Sequence, residues 1–270
     1  VFINETIQIV QPIKAGGTSN LFLGVDMVFG SPVVIKELKP GFFKSEFVRE
    51  KFLEEANRYL YLSHPNIVKL KDFIDKGDTQ YLVMEYIEGH DLADYVTKIS
   101  GPLPLYNIAL LMNEVLSALQ YVHQKDLVHL DIKPSNIMLT KDDRIKLIDF
   151  GIAHDKTVGG LKNIMGSPSY MSPEQLKEGA NIDHRSDIYS LGVTIYELLT
   201  GKLPYADCQT KDVLFEAIRT MPMPKVKPLF HVDEEHDLEI NKIIQKATYK
   251  DPEARYQSCE ELQMDLLKFL

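Results

Sequence analysis

Between Ile7 and Leu38 the chain runs as short apolar stretches rich in β-branched residues, IQIVQPI, LFLGVD and PVVIKEL, interrupted by AGGTSN and FGSP. Runs of that length, closed off by glycine- and serine-bearing turns, predict strands joined tightly. EFVREKFLEEANRYLYLS then places Val48, Phe52, Tyr59 and Leu60 near one face at helical spacing with charges elsewhere, which predicts an amphipathic helix. IVKLKDFI, the turn DKGD and QYLVMEY read as a hairpin. The first part is therefore expected to be a small antiparallel sheet carrying one helix.

After IEGHDL the period changes. NIALLMNEVLSALQYVH sets Ile108, Leu111, Val115, Leu119 and Val122 three or four residues apart, and most of the remaining chain reads as helix. DIYSLGVTIYELLTG is apolar almost all round, as a helix central to its surroundings would be, with Gly201 placed to end it. Two helix starts are legible. SPEQ offers Ser172 as cap, Pro173 in the first turn and Gln175 as reciprocal partner, and SCEE pairs Ser258 with Glu261. The stretch Glu88 to Asp91 reads as a hinge between a mainly β and a mainly α part.

Composition narrows the function classes. The 270 residues suit one compact, enzyme-sized unit, and 39 acidic against 30 basic residues give a formal charge of −9, which opposes general attraction to nucleic acid or anionic lipid. Cys208 and Cys259 stand far apart with no histidine at ligand spacing, so reduced, buried thiols are expected rather than a disulfide or a zinc site. No window is apolar for long enough to span a bilayer. The opening VFINETIQIV lacks the basic and then apolar layout of a signal peptide. A chain that starts without methionine reads as a domain cut from something longer, cytoplasmic itself, with the parent protein free to be membrane-tethered elsewhere.

Phosphoryl transfer from ATP needs a cover over the phosphates, a cation on them, metal ligands, and a carboxylate that orients the attacking hydroxyl. Candidates for each occur in order. KAGGTSN is a turn between strands; Lys36 in VVIKEL and Glu55 in the next helix would form an ion pair holding an ammonium against phosphates. Taken singly these have plainer readings, as a turn, a solvent-facing lysine and a solvated charge. HLDIKPSN is more specific. Asp131 would orient a hydroxyl, Lys133 would neutralise the moving phosphoryl group, and the amide oxygen of Asn136 would bind metal. The apolar runs IML and RIKLIDFG come next around the turn TKDD and end at Asp149, a second oxygen ligand suited to magnesium.

Together these segments resemble the eukaryotic-type protein kinases: VVIK its lysine strand, HLDIKPSN its catalytic loop, DFG its metal loop and GSPSYMSPEQ the end of its activation segment. The resemblance covers the chain from about Ile9 to the C-terminus. It implies an α+β, bilobal fold in a single domain, residues 1–270, with a small antiparallel N-lobe over 1–87 bearing one major helix and a mainly helical C-lobe over 88–270. It also implies ATP and Mg2+ (Mn2+ in its place) as cofactors, and proteins with serine or threonine acceptors as partners, this chain included. Lys133 and Ser167 in particular resemble the serine/threonine branch. By the same resemblance Met84 is the gatekeeper, the backbone of Glu85 and Ile87 holds adenine, Leu21, Val34 and Met138 sandwich the ring, and Asp91 reaches the ribose. Glu174 and Arg255 match a buried ion pair, and Asp187 an aspartate that braces the catalytic loop.

Two departures stand out. Where the family has three spaced glycines over the phosphates, this chain has Lys14 in the first place and Ser19 in the third, leaving Gly16 beside Gly17, which implies weaker ATP binding. The serine, with GSPSYMSPEQ, is similar to bacterial members. Leu130 replaces the arginine that precedes the catalytic aspartate and pairs with a phosphorylated activation segment, so activity is expected to depend little on phosphorylation at Thr157 or Ser169. Alternative readings are a pseudokinase, opposed by the presence of Lys36, Glu55, Asp131, Asn136 and Asp149, and a small-molecule phosphotransferase, opposed by Lys133 and by DFG followed by SPE. A phosphate-binding-loop NTPase is set aside because no glycine-rich loop ends in Gly-Lys-Ser/Thr.

Overall fold

Side-chain alternation along β3 (Ser31–Leu38) organises the first sheet of the computed structural model, which describes residues 1–150, 167–227, 230 and 233–270. Those residues divide into two compact units, Val1–Glu88 and Gly89–Leu270. In the first, β1 (Ile7–Ala15), β2 (Ser19–Asp26), β3, β4 (Leu70–Asp75) and β5 (Gln80–Glu85) form an antiparallel sheet in the order β1-β2-β3-β5-β4. Val33 and Ile35 turn to one face and pack with Ile3, Ile7, Tyr81 and Val83 in a buried cluster, each such side chain contributing about 1.5–3 kcal/mol. The other face is set by register: Leu21 lies opposite Lys36, and Val34 opposite Met84.

A short turn, α1 (Pro40–Phe43), leads to the major helix, α2 (Glu46–Tyr61), whose cap Ser45 accepts a hydrogen bond from the Val48 amide. Its buried side is Lys51, Phe52, Glu55, Ala56 and Tyr59. Leu60, expected on that side, is 69% exposed, because one step beyond Tyr59 rotates it about 100° off the stripe.

The second unit opens with a three-stranded sheet, β6 (Gly89–Asp91), β7 (Ile137–Thr140) and β8 (Ile145–Leu147), in that order. Asp91 also caps the single turn α3 (Leu92–Asp94), its carboxylate accepting from the Asp94 amide. The core forms around α4 (Leu105–His123) and α5 (Arg185–Thr200). On α4 the buried seats are Ile108, Met112, Val115, Leu116, Leu119 and Val122, with Leu111 only half-buried. Helix α5 is buried along nearly its whole length and ends at Gly201, whose φ of 69° is open to glycine at little cost. α6 (Lys211–Thr220), α7 (Glu234–Ala247) and α8 (Cys259–Leu266) complete it, α7 packing on α5 and α8 on α4.

The cap at Ser258 forms as expected, accepting from the Glu261 amide, while Glu261 reaches back to Gln257. The other expected helix does not form. Gln175 does return to Ser172, taking its amide at 2.9 Å, but the segment is one 3-10 turn, Glu174–Leu176. Glu174 is drawn away to a distant arginine, and Gly179 reverses the chain at φ 72°. Cys208 and Cys259 are both free thiols; Cys259 is buried, but Cys208 is only half-buried, contrary to expectation. Among the described residues no helix is long and apolar enough to cross a membrane.

Candidate active site

In the first unit β3 delivers Lys36 on the face opposite the apolar cluster, and α2 delivers Glu55. The ammonium donates to both carboxylate oxygens, at 2.7 and 2.9 Å, with the Glu55 side chain only 3% exposed. A carboxylate buried this deeply and paired this closely is no solvated surface charge. Leu21, Val34 and Met84 share the face of Lys36, Glu85 ends β5, and Ile87 follows two residues beyond it. Glu85 is anchored to Lys69 in both directions: its amide donates to the Lys69 carbonyl and its side chain accepts from the Lys69 amide.

The turn between β1 and β2 holds Gly16 and Gly17, with Lys14 opposite Leu21 and Ser19 opening β2. The Gly16 amide donates to the Ser19 carbonyl at 2.8 Å, and Lys39 donates through its ammonium to the Gly16 carbonyl. A side chain at position 16 would meet the Ser19 carbonyl at 2.9 Å, so glycine is needed there; at position 17 it would meet nothing within 4 Å.

In the second unit the loop before β7 gathers the other candidates. Asp131 accepts through Oδ2 from Lys133 Nζ at 2.7 Å and from Asn136 Nδ2 at 2.8 Å. Lys133 also donates to Ser167 Oγ at 3.2 Å, so the lysine joins the aspartate to the serine. Because Asn136 spends its amide hydrogens on Asp131 Oδ2 and on the Asp131 carbonyl, its Oδ1 is the atom suited to a cation. The Asn136 carbonyl accepts from Ile148, the residue before Asp149, tying the two oxygen-ligand positions together along the chain. Met138 lies opposite Asp91 in the β6–β7 register. Asn136 and Asp149 offer hard oxygen donors of the kind a divalent cation such as magnesium takes.

The loop is held from below. Asp187, fully buried at the start of α5, accepts from the amides of His129 (2.9 Å) and Leu130 (2.7 Å) and pairs with His123 Nε2 (2.8 Å). Burial alone would raise its carboxyl, but the bond to His123, with His129 behind it, outweighs that and holds it below the ordinary value. His129, also fully buried, is held below its ordinary value by desolvation and so is the neutral ring. Its Nδ1 accepts from the Asp131 amide (3.3 Å), which leaves the proton on Nε2 facing the Ile148 carbonyl (3.3 Å). Leu130 sits at φ 64° and Asp149 at φ 52°, conformations that L residues hold only when the surroundings impose them. At Leu130 the imposition is visible: its amide is taken by Asp187 and its carbonyl by Gln175.

Glu174 and Arg255 form a buried bidentate pair, 2.6 and 2.7 Å. Burial tends to raise the Glu174 carboxyl, and the guanidinium overrides it to leave the group below its usual range. Sequence reasoning does not mark His123 or Gln175 as site residues; His123 ends an apolar helix without any motif around it. Thr157, the glycine of DFG and the first glycine of GSPSYMSPEQ lie outside the described residues.

Residues 7–267 match the model of the protein kinase domain. The chain is 35% identical over 268 residues to the serine/threonine-protein kinase PrkC of Bacillus subtilis, covering 98% of this chain and 40% of that protein. It is 35% identical over 270 residues to a probable serine/threonine-protein kinase of Clostridium perfringens, covering 98% and 38% respectively. Identity to the serine/threonine-protein kinase PknB of Mycobacterium leprae is 33% over 261 residues, 94% of this chain and 41% of that protein. The chain belongs to the protein kinase domain family, with the bilobal fold of that family. It spans about two-fifths of the length of these relatives.

Proposed function

We propose that the chain transfers the γ-phosphate of ATP to serine and threonine hydroxyls of proteins, itself among them. The arrangement around Asp131 carries the reading: one carboxylate oxygen takes both Lys133 and Asn136, a geometry that holds the side chain rigidly enough to orient an acceptor hydroxyl. Lys133 is then placed to neutralise the phosphoryl group in transit, and Ser167, bonded to the same lysine, limits its motion. Lys36, fixed by Glu55, takes the α and β phosphates, and Asn136 and Asp149 would hold magnesium, which when bound would neutralise charge on the phosphates. Leu21, Val34, Met84 and Met138 contact the adenine ring, Glu85 and Ile87 hold it through backbone groups, and Asp91 meets the ribose. Lys14, Gly16, Gly17 and Ser19 line the phosphate cover. The names of the relatives support a serine/threonine acceptor.

The deciding test is transfer of radiolabel from γ-labelled ATP with magnesium to the protein and to a generic basic protein, beside an Asp149→Ala control. Acid-stable label on serine or threonine, absent from the control, is the expected result. Tight ATP binding with no transfer to any protein acceptor would overturn it and favour a binding module.

A further inference from the structure

Cys259 is the first residue of α8, turned inward by the cap at Ser258, and it is fully buried. Its Sγ lies 3.5 Å from His123 Nδ1, and the opposite ring nitrogen of that histidine lies 2.8 Å from Asp187 Oδ2. Asp187 in turn takes the amides of His129 and Leu130, directly before Asp131. A continuous line of hydrogen-bonding groups thus runs from α8 to the loop that carries the proposed chemistry. We infer that Cys259 is a positioning residue for the transfer reaction: its S–H donates to Nδ1 of His123, fixing the neutral tautomer with hydrogen on Nε2, which supports Asp187 beneath the loop.

The direction of each bond is set by the surroundings. A thiolate buried in apolar packing, with the Asp187 carboxylate close by, is disfavoured twice over, and burial and Asp187 both push the thiol upward. The sulfur therefore keeps its hydrogen, and with the one hydrogen of a neutral ring on Nε2 toward Asp187, Nδ1 is left to accept from it. Among the described residues, the ionisable groups in contact with His123 are Asp187 from α5, Cys259 from α8 and His184, whose ring stands 5.3 Å away and whose Nε2 meets the Gln257 carbonyl at 2.8 Å. Of these, Asp187 faces Nε2 and the thiol occupies Nδ1.

This role for Cys259 rests on Asp131 orienting the acceptor hydroxyl, so the test pairs a spectroscopic readout with a kinetic one. In 15N-histidine NMR of the full chain, His123 should show hydrogen on Nε2 alone near neutral pH. In Cys259→Ala, with the donor to Nδ1 removed, the single-tautomer pattern should be lost, with kcat for phosphate transfer falling about three- to tenfold and KM for ATP unchanged. Cys259→Ser, which restores an O–H donor, should recover both. Hydrogen on Nδ1 in the unaltered chain, or a serine variant as impaired as the alanine one, would overturn the inference. Should the unaltered chain transfer no phosphate at all, the proposed function falls while the tautomer measurement still decides the Cys259–His123 assignment.

Discussion

Asp131 shows how much one side chain is asked to do and how little freedom it keeps. Both of its described side-chain partners converge on Oδ2. Replacing it by asparagine keeps the size and removes the charge proposed to orient the hydroxyl. Asp131→Asn should therefore cut kcat by several orders of magnitude while the Kd for ATP changes little, measured by equilibrium titration beside steady-state rates. Equal losses in both would mean the residue holds nucleotide rather than acceptor. Leu130 makes the opposite case, a side chain whose identity matters less than its backbone. Its amide and carbonyl are engaged, so the loop keeps its left-handed turn without an arginine there. Without that cation to receive a phosphate, the double variant Thr157→Ala, Ser169→Ala should keep its rate within about threefold in the same transfer assay. A loss of activity would show that another cation receives the phosphate.

At the level of elements, close approach decides more than propensity. Gly89 in β6 lies so near β7 that a Cβ would meet the Leu139 carbonyl oxygen at 2.0 Å. Gly89→Ala must push two backbones apart and should lower stability by about 1–3 kcal/mol in urea unfolding, whereas Gly41→Ala, where a methyl meets nothing within 4 Å, should not. Strands and helices are legible in the sequence wherever period and punctuation agree, as with PVVIKEL and the helix ending at Gly201. They are not where a tertiary bond overrides a local signal. SPEQ has every mark of a helix start, yet the pull of Arg255 on Glu174 and the reversal at Gly179 leave a single turn. Glu55 reads equally well as a solvated charge until the fold places it against Lys36. His123 is invisible as a site residue because its partners lie 64 and 136 positions away, beyond any spacing rule.

Across the molecule, the ties beneath the Asp131 loop are long-range and built around buried carboxylates. Arg255 is almost completely buried and satisfied by Glu174 and three backbone carbonyls, those of Tyr249, Arg185 and Lys250. Arg255→Leu leaves the Glu174 carboxylate buried without its cation and should cost about 3–5 kcal/mol in the same unfolding experiment. Acid should act on these ties in a definite direction. Glu174 and Asp187 are both held below their ordinary values, so the unfolded chain takes up protons before the folded one does. Their contribution is full above about pH 4.5 and is lost as pH falls through the folded values. Glu197 runs the other way: burial raises it more than the Tyr170 hydroxyl, 2.5 Å away, lowers it, so it favours the folded state as it protonates. His129, held low in the folded chain, adds a loss that starts below about pH 6.5, where only the unfolded ring takes up a proton, so the urea midpoint should fall from about pH 6.5 downward and more steeply below about 4.5; a midpoint that climbed on acidification would reverse the assignment.

The pairing of Glu174 with Arg255 also sets an order in time. The two lie 81 residues apart, and the turn carrying Glu174 carries Gln175, which holds the Leu130 carbonyl. At roughly 5–20 residues per second of synthesis, a ribosome makes Glu174 about 4–16 s before Arg255. During that interval the nascent chain already contains Asp131, but the brace beside it lacks its final bond. The bracing of the Asp131 loop through Gln175 is thus completed only after Arg255 has been made, late in the order of the chain.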